Sequence, residues 1–160
     1  MHYAKCAFTL DRSHDYRQAE PTSFGKPRGF WVSVAGESDW PSFCRSEDFG
    51  IDRLAVEHTV TLSPDSNVLR IDDAVGMREF HDRFAVVTDF ERRHPSLASH
   101  QRLPIDWRAV AQVCDGIIIA PYQWSQRLDM SWYYGWDCAS GCIWNLSAIA
   151  AVTVALEAAS

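Results

Sequence analysis

The sequence predicts an α+β fold assembled mainly from short strands. Three observations predict it. Short β-branched and aromatic runs bounded by Gly and Pro recur along the chain, helical periodicity is confined to a few brief segments, and the two do not alternate as regular βαβ units. The 160 residues are 47% hydrophobic and 22% charged, a globular composition that excludes a disordered chain. A single domain spanning residues 1–160 is expected, burying about 70% of the surface of its unfolded form.

The elements follow in order. A first strand is expected from His2 and closes with Ala7-Phe8-Thr9-Leu10; residues 11 to 27, rich in Asp, Ser, Arg, Pro and Gly, read as a loop or frayed helix. Gly29 to Val34 is a strand by its aromatic and β-branched content. Trp40, Phe43 and Cys44 stand at helical spacing behind Asp39, a cap, with Pro41 in the first turn. Leu54 to Leu62 alternates as a strand, Ser63-Pro64-Asp65 turns it, and Val68 to Ile71 is the next strand. Val75, Met77, Phe80 and Phe84 share one stripe of a helix over 74–84. The polar stretch from Asp89 to Leu103 reads as a surface loop. Asp106 then caps a helix with Trp107, Val110, Ala111 and Cys114 on one face. Gly116 to Pro121 is unbroken apolar sequence, as a buried central strand requires. The aromatic segment Trp132 to Trp136 and the strand-like Cys142-Ile143-Trp144 lead to an Ala-rich tail, Ala148 to Ala159, compatible with helix or strand.

Charge and cysteine usage narrow the function. Fifteen basic against 21 acidic side chains leave a formal charge of −6, which argues against capture of nucleic acid by long-range attraction, though a local basic groove stays open. No stretch reaches the roughly 20 apolar residues of a spanning helix, and no export signal is visible, so a cytosolic protein is expected. The sequon Asn145-Leu146-Ser147 then reads as chance. Five cysteines, one loose pair among them (Cys138 and Cys142), fit structural thiols better than zinc, and no metal is expected. A Cys nucleophile with His58 or His81 as base is a weaker alternative. No Walker loop, dinucleotide fingerprint, zincin motif or nucleophile elbow occurs.

Seven tryptophans stand out. Each large aromatic buries about 150–250 Å², or roughly 4–6 kcal/mol of gross transfer free energy. Some must pack, and others are free to line a pocket for a flat ligand. Trp31 is expected to line such a pocket, with the Trp132–Trp136 segment as its other wall. Asp137 is the acidic residue of that aromatic segment, beside Ala139, Ser140 and Gly141, where a ligand can approach the backbone. A carboxylate there needs a partner. It is either a site residue, ringed by hydrogen-bond donors, or an Asp turn bonding its own backbone.

Two resemblances add to this reading. Lys26 to Ser33, Asp39-Trp40, Gly116 to Tyr122 and the specific run Trp132 to Asn145 resemble a family of short phage and prophage proteins without an assigned activity. More remotely, the order of elements is similar to that of small ADP-ribosyltransferases. His2-Tyr3 matches their first-strand His or Arg, Gly29-Phe30-Trp31-Val32-Ser33 their Gly-aromatic-Ser strand, and Asp115 to Ile119 a late strand. Cys142 to Asn145 with Ala148-Ile149 matches the last strand's continuation. The Glu that opens that strand in the superfamily is absent; Ser140 or Asp137 stands near its place. The resemblance implies a split antiparallel sheet with few short helices, NAD as substrate and ADP-ribose transfer to a host protein or nucleic acid in the bacterial cytosol. It implies Asp137 as the catalytic carboxylate, Trp31 as the nicotinamide face and Gly29 as the strand edge bonding the carboxamide. His2, Ser33 and Ser140 complete the cofactor contacts. The rival reading is a non-enzymatic inhibitor, an acidic, aromatic surface binding a defence or housekeeping protein. A degenerate transferase that binds a nucleotide without turning it over is the third.

Overall fold

The computed structural model describes residues 1–155 and is α+β, with two sheets and few short helices. The first sheet has the order β1-β3-β7, all antiparallel: His2–Ala4, Val56–Leu62 and Ile149–Val154. The second has the order β2-β6-β5-β4, from Phe30–Ser33, Ser140–Ile143, Gly116–Ile119 and Val68–Ile71. Here β2-β6 and β5-β6 are antiparallel, but β4 and β5 run parallel, so the sheet is mixed where an antiparallel one was expected. The reason lies in the connection: helices α2 (Ala74–Phe84), α3 (Asp89–Arg93) and α4 (Trp107–Ala111) all fall between β4 and β5, giving a long crossover. Helix α1 (Trp40–Ser46) follows β2.

Side-chain alternation along the second sheet separates two cores. Phe30, Val32, Ile143 and Ile149 pack between the sheets, against Val60 and Leu62 of β3. Ile117, Ile119 and Cys142 face the other way, onto Met77 and Phe80 of α2, Trp107 and Val110 of α4, and the aromatic segment. Trp132 is completely buried there, its ring centroid 5.4 Å from Phe80 and 5.8 Å from Trp107. Its indole N–H donates to His81 Nδ1 at 3.0 Å, which leaves the proton on Nε2, facing the His100 carbonyl at 2.7 Å. The Tyr122 hydroxyl closes the same layer by donating to the Trp136 carbonyl.

Several elements depart from expectation for local reasons. The first strand ends at Ala4, and residues 7–10 are irregular; Phe8 and Leu10 cover the inter-sheet core without joining the ladder. Ile51–Leu54 forms a 3-10 turn, so β3 starts at Val56. The stretch from Asp89 to Leu103 is not a loop: it holds α3 and two 3-10 turns, Pro95–Leu97 and His100–Arg102. A capping box creates α3, since Glu91 accepts from the Thr88 backbone N–H at 3.0 Å while Thr88 caps the first turn. Val75 is 51% exposed, on the flank of the stripe that Met77, Phe80 and Phe84 bury. The tail is a strand through Val154; the Ala-rich end of that expectation lies outside the described residues. Asp39, Asp73 and Asp106 cap α1, α2 and α4 through side-chain bonds to the first turn. No helix among the described residues is long and apolar enough to cross a membrane.

The His58 imidazole is a buried polar group without a partner. His58 on β3 is fully enclosed, pairs across the ladder with His2 and lies 4.6 Å from the Phe8 ring, and neither of its ring nitrogens has a hydrogen-bond partner. An unsatisfied buried donor or acceptor costs about 1–3 kcal/mol. His58→Leu is therefore expected to raise the unfolding free energy by about 1–3 kcal/mol in urea titrations; a loss of stability would show that the imidazole is bonded.

Burial also pushes the pKa values of His81 and His2 below the ordinary 6.5, against the opposing pull of their carbonyl partners. A depressed histidine binds fewer protons folded than unfolded, so its contribution to stability is complete above 6.5 and falls as pH drops toward the folded value. Urea midpoints are expected to decline as pH falls below about 6.5. His81→Gln should flatten part of that decline; an acid limb unchanged in slope would remove His81 from its cause.

Candidate functional site

A cavity of about 500 Å³ opens where the edges of the two sheets meet. Its walls come from both ends of the chain. Strand β1 supplies His2 and Tyr3, β2 supplies Trp31, Val32 and Ser33, and β6 with its approach supplies Trp136 through Cys138 and Ser140. Trp40 of α1, with Phe49 and Arg53 beyond it, forms the far side, and Lys26 stands before β2. The β2-β6 ladder pairs Ser33 with Ser140, while the Ser33 N–H donates to the Met1 carbonyl at 2.7 Å. Those two contacts bring β1, β2 and β6 together at one point.

Of the residues singled out from the sequence, His2, Trp31, Ser33, Asp137 and Ser140 all line this cavity. Gly29 does not. A Cβ there would stand 2.5 Å from Cys142 Sγ and 2.7 Å from the Ile143 carbonyl, so the glycine permits β2 to close onto β6 rather than bonding a ligand. The aromatic wall is also narrower than expected. Trp136 reaches the cavity and meets Trp31 edge-on at 4.9 Å, whereas Trp132 and Tyr133 are core residues.

Each polar group has a defined state. His2 donates from Nδ1 to the Trp31 carbonyl at 2.8 Å, stacks on Phe30 at 4.4 Å and presents its Nε2 edge as an acceptor. Ser33 Oγ accepts the Trp40 N–H at 2.9 Å and retains its own proton to donate. The Ser140 hydroxyl donates to the Cys138 carbonyl at 2.9 Å. Asp137 is not ringed by donors and makes no Asx bond to its own backbone among the described residues; its partner is Arg127, with 3.5 Å between Nη2 and Oδ1. That guanidinium also lies 5.5 Å from the Tyr134 ring centroid, and its Nε is buried without an acceptor. The Trp136 indole N–H is likewise buried and unbonded. Lys26 Nζ sits 5.2 Å from the Trp31 ring centroid, a cation held on an aromatic face.

The thiols offer no nucleophile here. Burial pushes Cys138 up to about 11, and Cys142 is also raised, by burial first. His81 is committed to Trp132 and His100, and His58 lies inside the core, so no Cys–His pair forms. All five cysteines are free, and among the described residues no group of three or more His, Cys, Asp or Glu is placed to hold a metal ion. Burial, reinforced by the Glu57 carboxylate, pushes the Tyr3 phenol up to about 12, so it stays protonated as a donor at neutral pH.

Lys26, Trp40, Phe49, Arg53 and Arg127 are not singled out from the sequence as site residues, and Tyr3 enters there only as the neighbour of His2. Lys26 and Trp40 stood inside the motif segments, but nothing in the spacing of Arg53 or Arg127 marks either. Protein-family models, curated proteins and solved structures were compared with the chain, and none matches.

The packing role of Gly29 generates a separate expectation. Gly29→Ala forces a methyl into the Cys142 and Ile143 backbone contact and is expected to cost about 1–3 kcal/mol, measured by urea unfolding. A stable variant with lost ligand binding would return Gly29 to the binding role.

Proposed function

We propose that the chain binds NAD in this cavity and transfers ADP-ribose to an acceptor macromolecule, as a phage-type ADP-ribosyltransferase acting on a host protein or nucleic acid. One observation carries the reading. Residues of β1 and β2 that match that superfamily's strand motifs, and Asp137 and Ser140 near the place of its Glu, converge on one cavity. Its volume of about 500 Å³ falls within the range of ligand sites, roughly 300–1,000 Å³.

The chemistry fits the groups at hand. The nicotinamide of NAD is a cationic pyridinium, and the Trp31 face already attracts a cation. Cleavage breaks the bond between ribose C1′ and the ring nitrogen, the electron pair leaves with neutral nicotinamide, and positive charge develops on the sugar. Asp137 supplies negative charge for that oxocarbenium-like state, as a carboxylate does in glycoside hydrolysis. The acceptor's nucleophile then bonds to C1′ and loses its proton. His2 Nε2 and the Ser33 hydroxyl are an acceptor and a donor available to the ribose hydroxyls. A second reading, nucleotide binding without turnover, draws support from the Arg127 charge beside Asp137 and from the absence of the superfamily's Glu, near whose place Ser140 or Asp137 stands.

The test separates binding from chemistry. NAD is expected to raise the melting temperature of the chain and to bind more tightly than NADH, whose dihydropyridine is neutral. Trp31→Ala should abolish the shift. Asp137→Asn should keep binding but lower nicotinamide release by about 10²-fold or more. Binding without release from the unaltered chain selects the second reading, and no NAD-dependent shift at all excludes both.

A further inference from the structure

The cavity is lined by two cations that have no ion-pair partner among the described residues. Lys26 and Arg53 both line it, both are exposed, and among the described residues neither has a carboxylate within ion-pair distance or a hydrogen-bond acceptor for its charged group. Lys5 pairs with Asp52, the immediate neighbour of Arg53, and so takes that carboxylate. The cavity's carboxylate, Asp137, is balanced by Arg127. Among the lining side chains the cations Lys26 and Arg53 outnumber the carboxylate Asp137, in a chain whose formal charge is −6, while the Glu57 and Asp39 carboxylates act on Tyr3 from behind the wall. Partly enclosed by aromatic rings, the positive charge of the lining is screened less than on open surface and focuses an anion into the site.

We infer that Lys26 and Arg53 form a two-cation seat for the phosphate groups of a nucleoside diphosphate moiety. This rests on the reading of the cavity as a nucleotide site and narrows it to ligands with phosphates between two ring systems or at one end. The two side chains divide the work by their chemistry. Arg53 offers a rigid fork suited to paired phosphate oxygens, while Lys26 is a point charge on a flexible stem. Lys26 rests on the Trp31 face and against Gly135, where an added Cβ would lie 2.7 Å from Lys26 Cε. A ring entering against Trp31 takes the place of the ammonium, and the stem allows Nζ to follow the ligand's phosphates. Seating the ring and recruiting the cation are thus one event.

Calorimetry on the full chain with ADP-ribose, ADP and nicotinamide riboside tests the seat, using Lys26→Gln, Arg53→Gln and the double variant, with Lys26→Arg and Arg53→Lys as charge-preserving controls. ADP-ribose and ADP should bind about tenfold more weakly to each single Gln variant, about a hundredfold more weakly to the double, and more weakly at higher salt. The charge-preserving variants should recover most of the loss. Nicotinamide riboside, which lacks phosphate, should lose no affinity in any variant. Cation-dependent binding of ADP-ribose with no binding of NAD supports the seat and removes the NAD reading. ADP-ribose affinity indifferent to both Gln substitutions overturns the seat and leaves NAD binding standing. Failure of both phosphate ligands to bind the unaltered chain also overturns it.

Discussion

The close antiparallel contact of β2 with β6 is the constraint on which the rest depends. Strand β6 lies between β2 and β5, and its backbone is approached from both sides. At Gly141 a Cβ would fall 2.6 Å from the Ile117 carbonyl, and at Gly29 one would fall 2.5 Å from Cys142 Sγ. Side chains at either position would pry the ladder apart. With the ladder closed, Cys142 and Ile143 point into opposite cores, and the chain entering β6 is delivered to the edge where β1 meets β2. Core and cavity are consequences of the same pairing.

The aromatic residues divide along that line. Trp132, Tyr133 and Trp107 fill the helix-covered core and are held by hydrogen bonds as well as contact, Trp132 through His81 and Trp107 through the Gly25 carbonyl at 2.9 Å. Trp31, Trp40 and Trp136 border the cavity. Large rings serve both purposes because they exclude water over a wide area while losing little rotamer freedom. Trp136 belongs to both groups: it is 1% exposed, packs on Tyr133 and Trp132, and still presents part of its ring to the cavity. It couples the packing of the core to the shape of the site.

Much of this was legible in the sequence because local signals agreed. The caps Asp39 and Asp106, the helix over 74–84 and the buried strand Gly116–Ile119 each rest on side chains within a few residues of one another. His2, Trp31, Ser33, Asp137 and Ser140 do line one cavity, a gathering that periodicity along the chain cannot carry. Other features depend on partners distant in the chain. The resemblance makes Gly29 a binding edge, and its packing partner Cys142, more than a hundred residues away, leaves no local sign of the packing role. Arg127 meets Asp137 only after the 121–136 segment folds back on itself. The parallel pairing of β4 with β5 follows from where three short helices are placed between them. Helix α3 was missed for a different reason: its capping box is local, but its exposed, charged composition resembles a loop.

The walls of the cavity belong to two different sheets, and that has a mechanical consequence. His2 and Tyr3 move with the three-stranded sheet, whereas Trp31, Ser33 and Ser140 move with the four-stranded one. At the cavity the two are stitched by the bond from His2 to the Trp31 carbonyl and by the Ser33 amide to the Met1 carbonyl. The cavity is a joint as well as a container. The bonds across the seam and the core shared between the sheets, rather than strand pairing inside either one, set the spacing of these walls. The Ser33 amide proton belongs to the seam rather than to a ladder within either sheet, so its exchange with solvent reports how often the joint opens, separately from the stability of the sheets themselves.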